Sequence, residues 1–235
     1  MNYNTKKLTK LNDREFAEDI KNYIKSSHNF YEIKIPELKV LAKRLHEEYK
    51  IKDFYKVFNR LWKKCHEGER ALAIRTLQLY KKEFNIETWK FLKNKLKDMK
   101  SCDQIDFVSE RIVGEILLNE KELEKELEKI SRSDNFWLKR IAIVSTIPMI
   151  KTGDFRIAIR LLERHINSEK NQIQEATGRI INEIGKKNKN LAKKIILKHV
   201  HMPNTTFEFA TENLKELRKL RKIKKLKNNK SFWKW

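Results

Sequence analysis

Two stretches of the chain hold the residues whose types and spacing could do chemistry. "SCDQIDFVSERIVGEIL", residues 101–117, puts Asp103, Asp106 and Glu110 on one side of a helix, with Asp106 in the same stripe as Val113 and Leu117. "DNFWLKRIAIV", residues 134–144, is apolar on nearly every side when wound at about 100° per residue. Yet Arg140 falls in the middle of its first stripe, four residues after Phe136 and four before Val144. A helix apolar all round belongs between other helices, and an unpaired guanidinium there is too costly to keep. Arg140 therefore needs an anion, either a carboxylate or a bound phosphate. A guanidinium set near carboxylates supports acid–base or electrostatic chemistry.

Other chemistries find little support. "CHEGER", residues 65–70, lacks the second histidine of a zinc-binding helix, and His199 and His201 would point about 200° apart. Neither a phosphate-cradling glycine loop nor a nucleophile elbow is present, which argues against nucleotide hydrolysis and acyl transfer. Cys65 and Cys102 are the only cysteines and make no disulfide framework. No metal and no cofactor are expected.

The elements that must position these residues read as helices throughout. With 40% hydrophobic and 37% charged residues the chain is a folded one, and five glycines and three prolines in 235 residues are too few for many tight turns. Apolar periodicity sets helix starts near Arg14, Ile35, Asp53, Glu69, Glu87, Asp103, Glu120, Ser133, Asp154, Glu169, Asn188 and Thr205. Asp13, Ser133 and Thr206 are candidate N-caps, and Pro36 suits a first turn. Starts recur about every 17–18 residues, so helix pairs recur about every 35, the period of a tandem helical-hairpin array. The expected fold is all-α, a HEAT-like solenoid of about six helix pairs, curved with a basic concave face suited to duplex DNA. In such an array elements i and i+2 lie side by side, which brings Asp106 and Arg140 toward one shared cleft; a purely structural ion pair would satisfy the same pattern.

No internal linker divides the body, so residues 1–226 read as one domain and 227–235 as a basic, aromatic tail. The formal net charge is +22, and from Lys215 onward ten Lys/Arg stand against Glu216 alone. Charge of this size implies a polyanionic partner, nucleic acid ahead of an acidic membrane surface, with adaptation for solubility as the bland alternative. Lys222, Lys224, Lys225, Trp233 and Trp235 could form a DNA-contacting arm, or simply a solvated tail. No signal peptide or run of about 18 apolar residues is seen, so a cytoplasmic monomer without membrane association is expected, at the nucleoid through DNA.

Five segments, in order, resemble the AlkD-type DNA alkylation repair glycosylases. "FYEIKIPELKVLAKRL", residues 30–45, is similar to an early Val-Pro-x-Leu-x-x-Ile-Ala-Lys segment. "LWKKCHEGERALAI", residues 61–74, resembles Leu-Trp followed by His-Glu-x-Arg and an apolar helix. "CDQIDFVSERIVGEIL", residues 102–117, is similar to Trp-Asp-x-Val-Asp followed by a glycine. "SDNFWLKRIAIV", residues 133–144, resembles Ser-x-Asn-x-Trp-x-x-Arg-x-Ala-Ile. "IQEATGRIINEIGKKNK", residues 173–189, is similar to Ile-Gln-Lys-Ala-x-Gly-Trp-x-x-Arg-Glu-x-x-Lys-x-Asn.

The resemblance implies HEAT-like repeats that bind double-stranded alkylated DNA and a glycosylase that cleaves the N-glycosidic bond of cationic N-alkylated purines. It places the catalytic carboxylate on Asp106 and a DNA-phosphate and active-site contact on Arg140, with Cys102, Asp103, Trp137 and Arg179 lining the site. Two positions depart from the motifs: Cys102 stands at the first Trp, and Arg179 follows Gly178 where the family has Gly-Trp. By spacing alone, Arg179 reads as a surface residue between Glu175 and Glu183, and Trp137 as core. Besides the glycosylase, two readings stay open: a non-catalytic binder of distorted or branched DNA, and a helical-repeat scaffold for an acidic protein or RNA.

Overall fold

Apolar stripes at helical spacing become helix along the chain. The structure, a computed structural model, describes residues 35–63, 67–99 and 101–219, and among these every regular element is helical. Packing divides the chain between residues 84 and 85 into two compact units, although no Pro- or Gly-rich stretch marks that point.

The first unit contains α1 (Ile35–Glu48), α2 (Ile51–Lys63) and α3 (Glu67–Leu79). Helices α1 and α3 lie side by side with α2 packed on α3, the i and i+2 neighbour relation of a helical-hairpin array. The amphipathic α2 inserts Phe54, Val57, Phe58 and Leu61, all fully buried. Each such side chain contributes about 1.5–3 kcal/mol by leaving water. Beyond α3, the Tyr80 hydroxyl donates to the Tyr49 carbonyl at 2.6 Å and ties the ends of α3 and α1 together.

The second unit runs α4 (Ile86–Leu92), α5 (Cys102–Val108), a π-helical turn Ser109–Val113, α6 (Gly114–Asn119), α7 (Leu123–Ile130), α8 (Phe136–Val144) and α9 (Ile147–Thr152). It continues with α10 (Arg156–His165), α11 (Asn171–Lys187), α12 (Lys189–Lys198) and α13 (Asn204–Thr211). Helix α8 is central: α5, α7, α10 and α11 pack around it, and Leu138 and residues 140–144 are buried. That is where a helix apolar on nearly every side has to sit.

Several local features differ from the sequence reading. The helix expected from Ser133 breaks into α8 and α9, because the Ser145 and Thr146 hydroxyls turn back on the carbonyls of Ile141 and Ile143, both at 2.7 Å, just before Pro148. Asn135, not Ser133, caps α8 by accepting from the Trp137 N–H at 2.9 Å; Ser133 accepts from the Asn135 N–H instead. Thr206 is no N-cap, since it lies buried inside α13 behind Pro203. Asp13 and the start near Arg14 lie outside the described residues.

Two glycines let helices meet backbone to backbone around the site. A Cβ on Gly114 would lie 2.6 Å from Pro148 Cγ and 2.7 Å from the Ser145 carbonyl, so α6 can approach the α8–α9 junction only without a side chain there. A Cβ on Gly178 would lie 2.5 Å from the Thr206 carbonyl, which fixes how closely α11 meets α13. No helix among the described residues is long and apolar enough to cross a membrane.

Candidate active site

The anion that the apolar stripe requires is Asp106. Arg140 on α8 faces Asp106 on the adjacent α5, with Nε donating to Oδ1 and Nη2 to Oδ2, each at 2.8 Å. This two-pronged pairing fixes the carboxylate plane as well as its charge. The remaining nitrogen, Nη1, donates to the Gln172 carbonyl and, at 3.3 Å, to Glu175 Oε2, both at the start of α11. Arg140 is 5% exposed. Burial alone would ease its proton off, but the Asp106 carboxylate outweighs that and holds the guanidinium above its ordinary pKa. The Asp106 side chain remains 21% exposed.

A second guanidinium reaches the same carboxylate. Arg179 Nη1 on α11 donates to Asp106 Oδ2 at 3.2 Å, and its Nη2 donates to Glu110 Oε2 at 2.6 Å. Glu110 sits in the π-turn and accepts Lys151 Nζ from α9 on its other oxygen, also at 2.6 Å. Burial pushes the Glu110 carboxyl up, but the Lys151 ammonium, with Arg179 and Arg111, more than reverses this and holds it below the usual carboxylate range. Lys151, Glu110, Arg179, Asp106, Arg140 and Glu175 thus form a chain of alternating charge whose formal charges cancel.

This geometry corrects the spacing-based reading of Arg179. Glu175 turns to Arg140 and Glu183 pairs with Lys186 at 2.6 Å, leaving Arg179 to reach across to α5 and the π-turn. Packing decides the outcome, because the face of α11 that carries residue 179 lies toward α5 rather than toward solvent alone. Trp137, read as core, is half-buried, its ring centroid 4.4 Å from that of Phe136. Cys102 is a half-buried free thiol one turn before Asp106; burial raises its pKa against the pull of Arg140. Asp103 is exposed and takes no part in the charge chain. Lys222, Lys224, Lys225, Trp233 and Trp235 lie outside the described residues.

Sequence reasoning missed Glu175, Lys151 and the Gln172 carbonyl as members of the site. For Glu175 the signal was present, a carboxylate on the same helix as Arg179, but it pointed to the wrong arginine. Lys151 gave none, since it depends on the break that creates α9. Among the described residues no group of three or more His, Cys, Asp or Glu is placed to hold a metal ion.

The fold and site define a helical-repeat protein with a carboxylate fixed by arginine between two neighbouring helices. A family model described as DNA alkylation repair enzyme matches residues 5–214, and the chain belongs to that family. Among solved structures it is similar to one described as a predicted DNA alkylation repair enzyme from Enterococcus faecalis, with a TM-score of 0.67 and 19% identity over 84% of this chain and 93% of that one. It is also similar to AlkD2 from Streptococcus mutans, with a TM-score of 0.61 and 16% identity over 85% of this chain and 98% of that one. No curated protein matches its sequence.

Proposed function

We propose that the protein is a DNA glycosylase that hydrolyses the N-glycosidic bond of cationic N-alkylated purines in duplex DNA, with Asp106 as the catalytic carboxylate. The observation that carries this is the Asp106 carboxylate itself: clamped in one orientation by the buried Arg140 fork, and still partly exposed. An N-alkylated purine already bears positive charge and leaves as a neutral base when the C1′–N bond breaks. The charge then moves to the deoxyribose, where a fixed carboxylate stabilises it and orients the water that adds at C1′ and gives up a proton. Arg140 serves as a positioning residue, because its bidentate grip keeps Asp106 from rotating away from the sugar. Family membership supports DNA as the substrate.

The test is base release from purine-methylated duplex DNA under single-turnover conditions, comparing wild type with Asp106→Asn. The expected result is release by the wild type and its loss, by about 100-fold or more, in the variant, with DNA binding retained. Equal release from both would assign the catalytic group elsewhere.

A second reading is favoured by one observation: Arg179 donates to Asp106 Oδ2, so the carboxylate is shared between two cations in the DNA-free protein. A non-catalytic member that binds distorted or branched DNA would show tight, salt-sensitive binding and no base release from the wild type.

A further inference from the structure

Each of the three guanidinium nitrogens of Arg140 donates within the protein, and Arg140 is 5% exposed. Four of its five N–H groups are spent in this way and the residue is buried, so a phosphate arriving beside Asp106 meets more open cations first. Two cations of the same charge chain face solvent: Lys151, with its side chain 49% exposed, and Arg179, at 33%. They come from different helices, α9 and α11, yet they are not independent. Glu110, only 12% exposed, accepts Lys151 Nζ on Oε1 and Arg179 Nη2 on Oε2, both at 2.6 Å. One carboxylate thus sets the two cations side by side, its own two oxygens fixing their spacing. An ammonium has three donors and a guanidinium five, so both retain N–H groups beyond those Glu110 uses. Together the three residues carry a formal charge of one positive, which matches a phosphodiester.

We propose that Arg179 and Lys151, aligned by Glu110, form a clamp for one DNA backbone phosphate next to Asp106. Glu110 is a positioning residue in this arrangement. Arg179 also touches Asp106, at 3.2 Å, so a seated phosphate lies one guanidinium away from the carboxylate that faces the sugar. The inference rests on the DNA-binding part of the proposed function and not on base release.

The experiment measures the affinity of the full-length protein for unmodified duplex DNA as salt is raised from about 50 to about 200 mM. Arg179→Gln and Lys151→Gln are each expected to weaken binding and to flatten the slope of log affinity against log salt by about one. Glu110→Gln carries the distinguishing sign. It makes the protein one charge more positive, so a simple basic surface would bind DNA more tightly; the clamp requires weaker binding, with little further loss when Lys151→Gln is added. Tighter binding by Glu110→Gln, or unchanged slopes in both cation variants, would overturn the clamp. Should Glu110→Gln not fold, the two cation variants decide. Inorganic phosphate is run against chloride at matched ionic strength and is expected to displace no extra DNA; extra displacement that Arg179→Gln abolishes would make this a free-anion site and overturn the DNA assignment. Because unmodified DNA is the ligand, absence of base release sinks the glycosylase reading alone, while unchanged slopes beside normal base release sink the clamp alone.

Discussion

Asp106 is held by two guanidinium groups of different standing. Arg140 is buried and gives two short, parallel hydrogen bonds, whereas Arg179 is half-exposed, gives one longer bond and is anchored mainly by Glu110. Removing the buried partner leaves Asp106 with only the weaker Arg179 bond and takes from Glu175 its pairing with Arg140. Arg140→Met is accordingly expected to lower stability by about 3 kcal/mol, read as a shift in the urea midpoint with an unchanged slope. Arg140→Lys keeps the charge and loses the fork, so it should restore part of that stability and little of the base release. The need for an anion at Arg140 was legible in the sequence, because a charge in the middle of an apolar stripe has few escapes, and Asp106 could be named because it shares a stripe with Val113 and Leu117. Glu175 and Arg179 were misread for a definite reason. Spacing on one helix identifies neighbours on that helix, whereas here α11 presents them to α8 and α5, whose groups compete successfully for both.

At the level of elements, the expected helix starts that fall among the described residues lie within about three residues of the observed ones, since apolar period and capping residues are local properties. The break at Ser145 and Thr146 and the π-turn were not legible, because both accompany the close approach of α6 to the α8–α9 junction at Gly114. The same logic governs Gly178. In an exposed helix a Gly→Ala change is stabilising by about 1 kcal/mol. Here the new methyl would meet the Thr206 carbonyl at 2.5 Å and Phe209 Cβ at 2.6 Å, and neither backbone can yield cheaply. Gly178→Ala should therefore destabilise by about 1–3 kcal/mol, measurable by chemical unfolding. It should also weaken DNA binding if Arg179, the next residue, is displaced with α11.

For the whole molecule, stability should depend on acid through His165 at the end of α10. Burial, with Lys139 and Arg164 nearby, lowers the pKa of this imidazole from 6.5 to about 4. Between those values the unfolded chain takes up a proton that the folded one refuses. The associated stability is thus fully present above pH 6.5 and is lost as the pH falls toward 4, by about 3 kcal/mol in all. Urea unfolding across that range should show the decline, and His165→Gln should flatten it. One further consequence attaches to the turn Ser109–Val113, where the Gly114 N–H reaches back five residues to the Ser109 carbonyl. It accommodates one residue more than a regular α-helix would over the same rise. A chain one residue shorter here would wind as plain α-helix over nearly the same rise, and all that follows would keep its place relative to Asp106. Gly114 would stay against Pro148 and Asp106 against Arg140, and the change would fall on the turn itself, where Glu110 meets Lys151 and Arg179. Descent within the family should therefore treat this stretch as a length character: a one-residue gap at 109–113 in an alignment would mark a lineage that keeps the flanking contacts and holds its Lys151 and Arg179 counterparts differently.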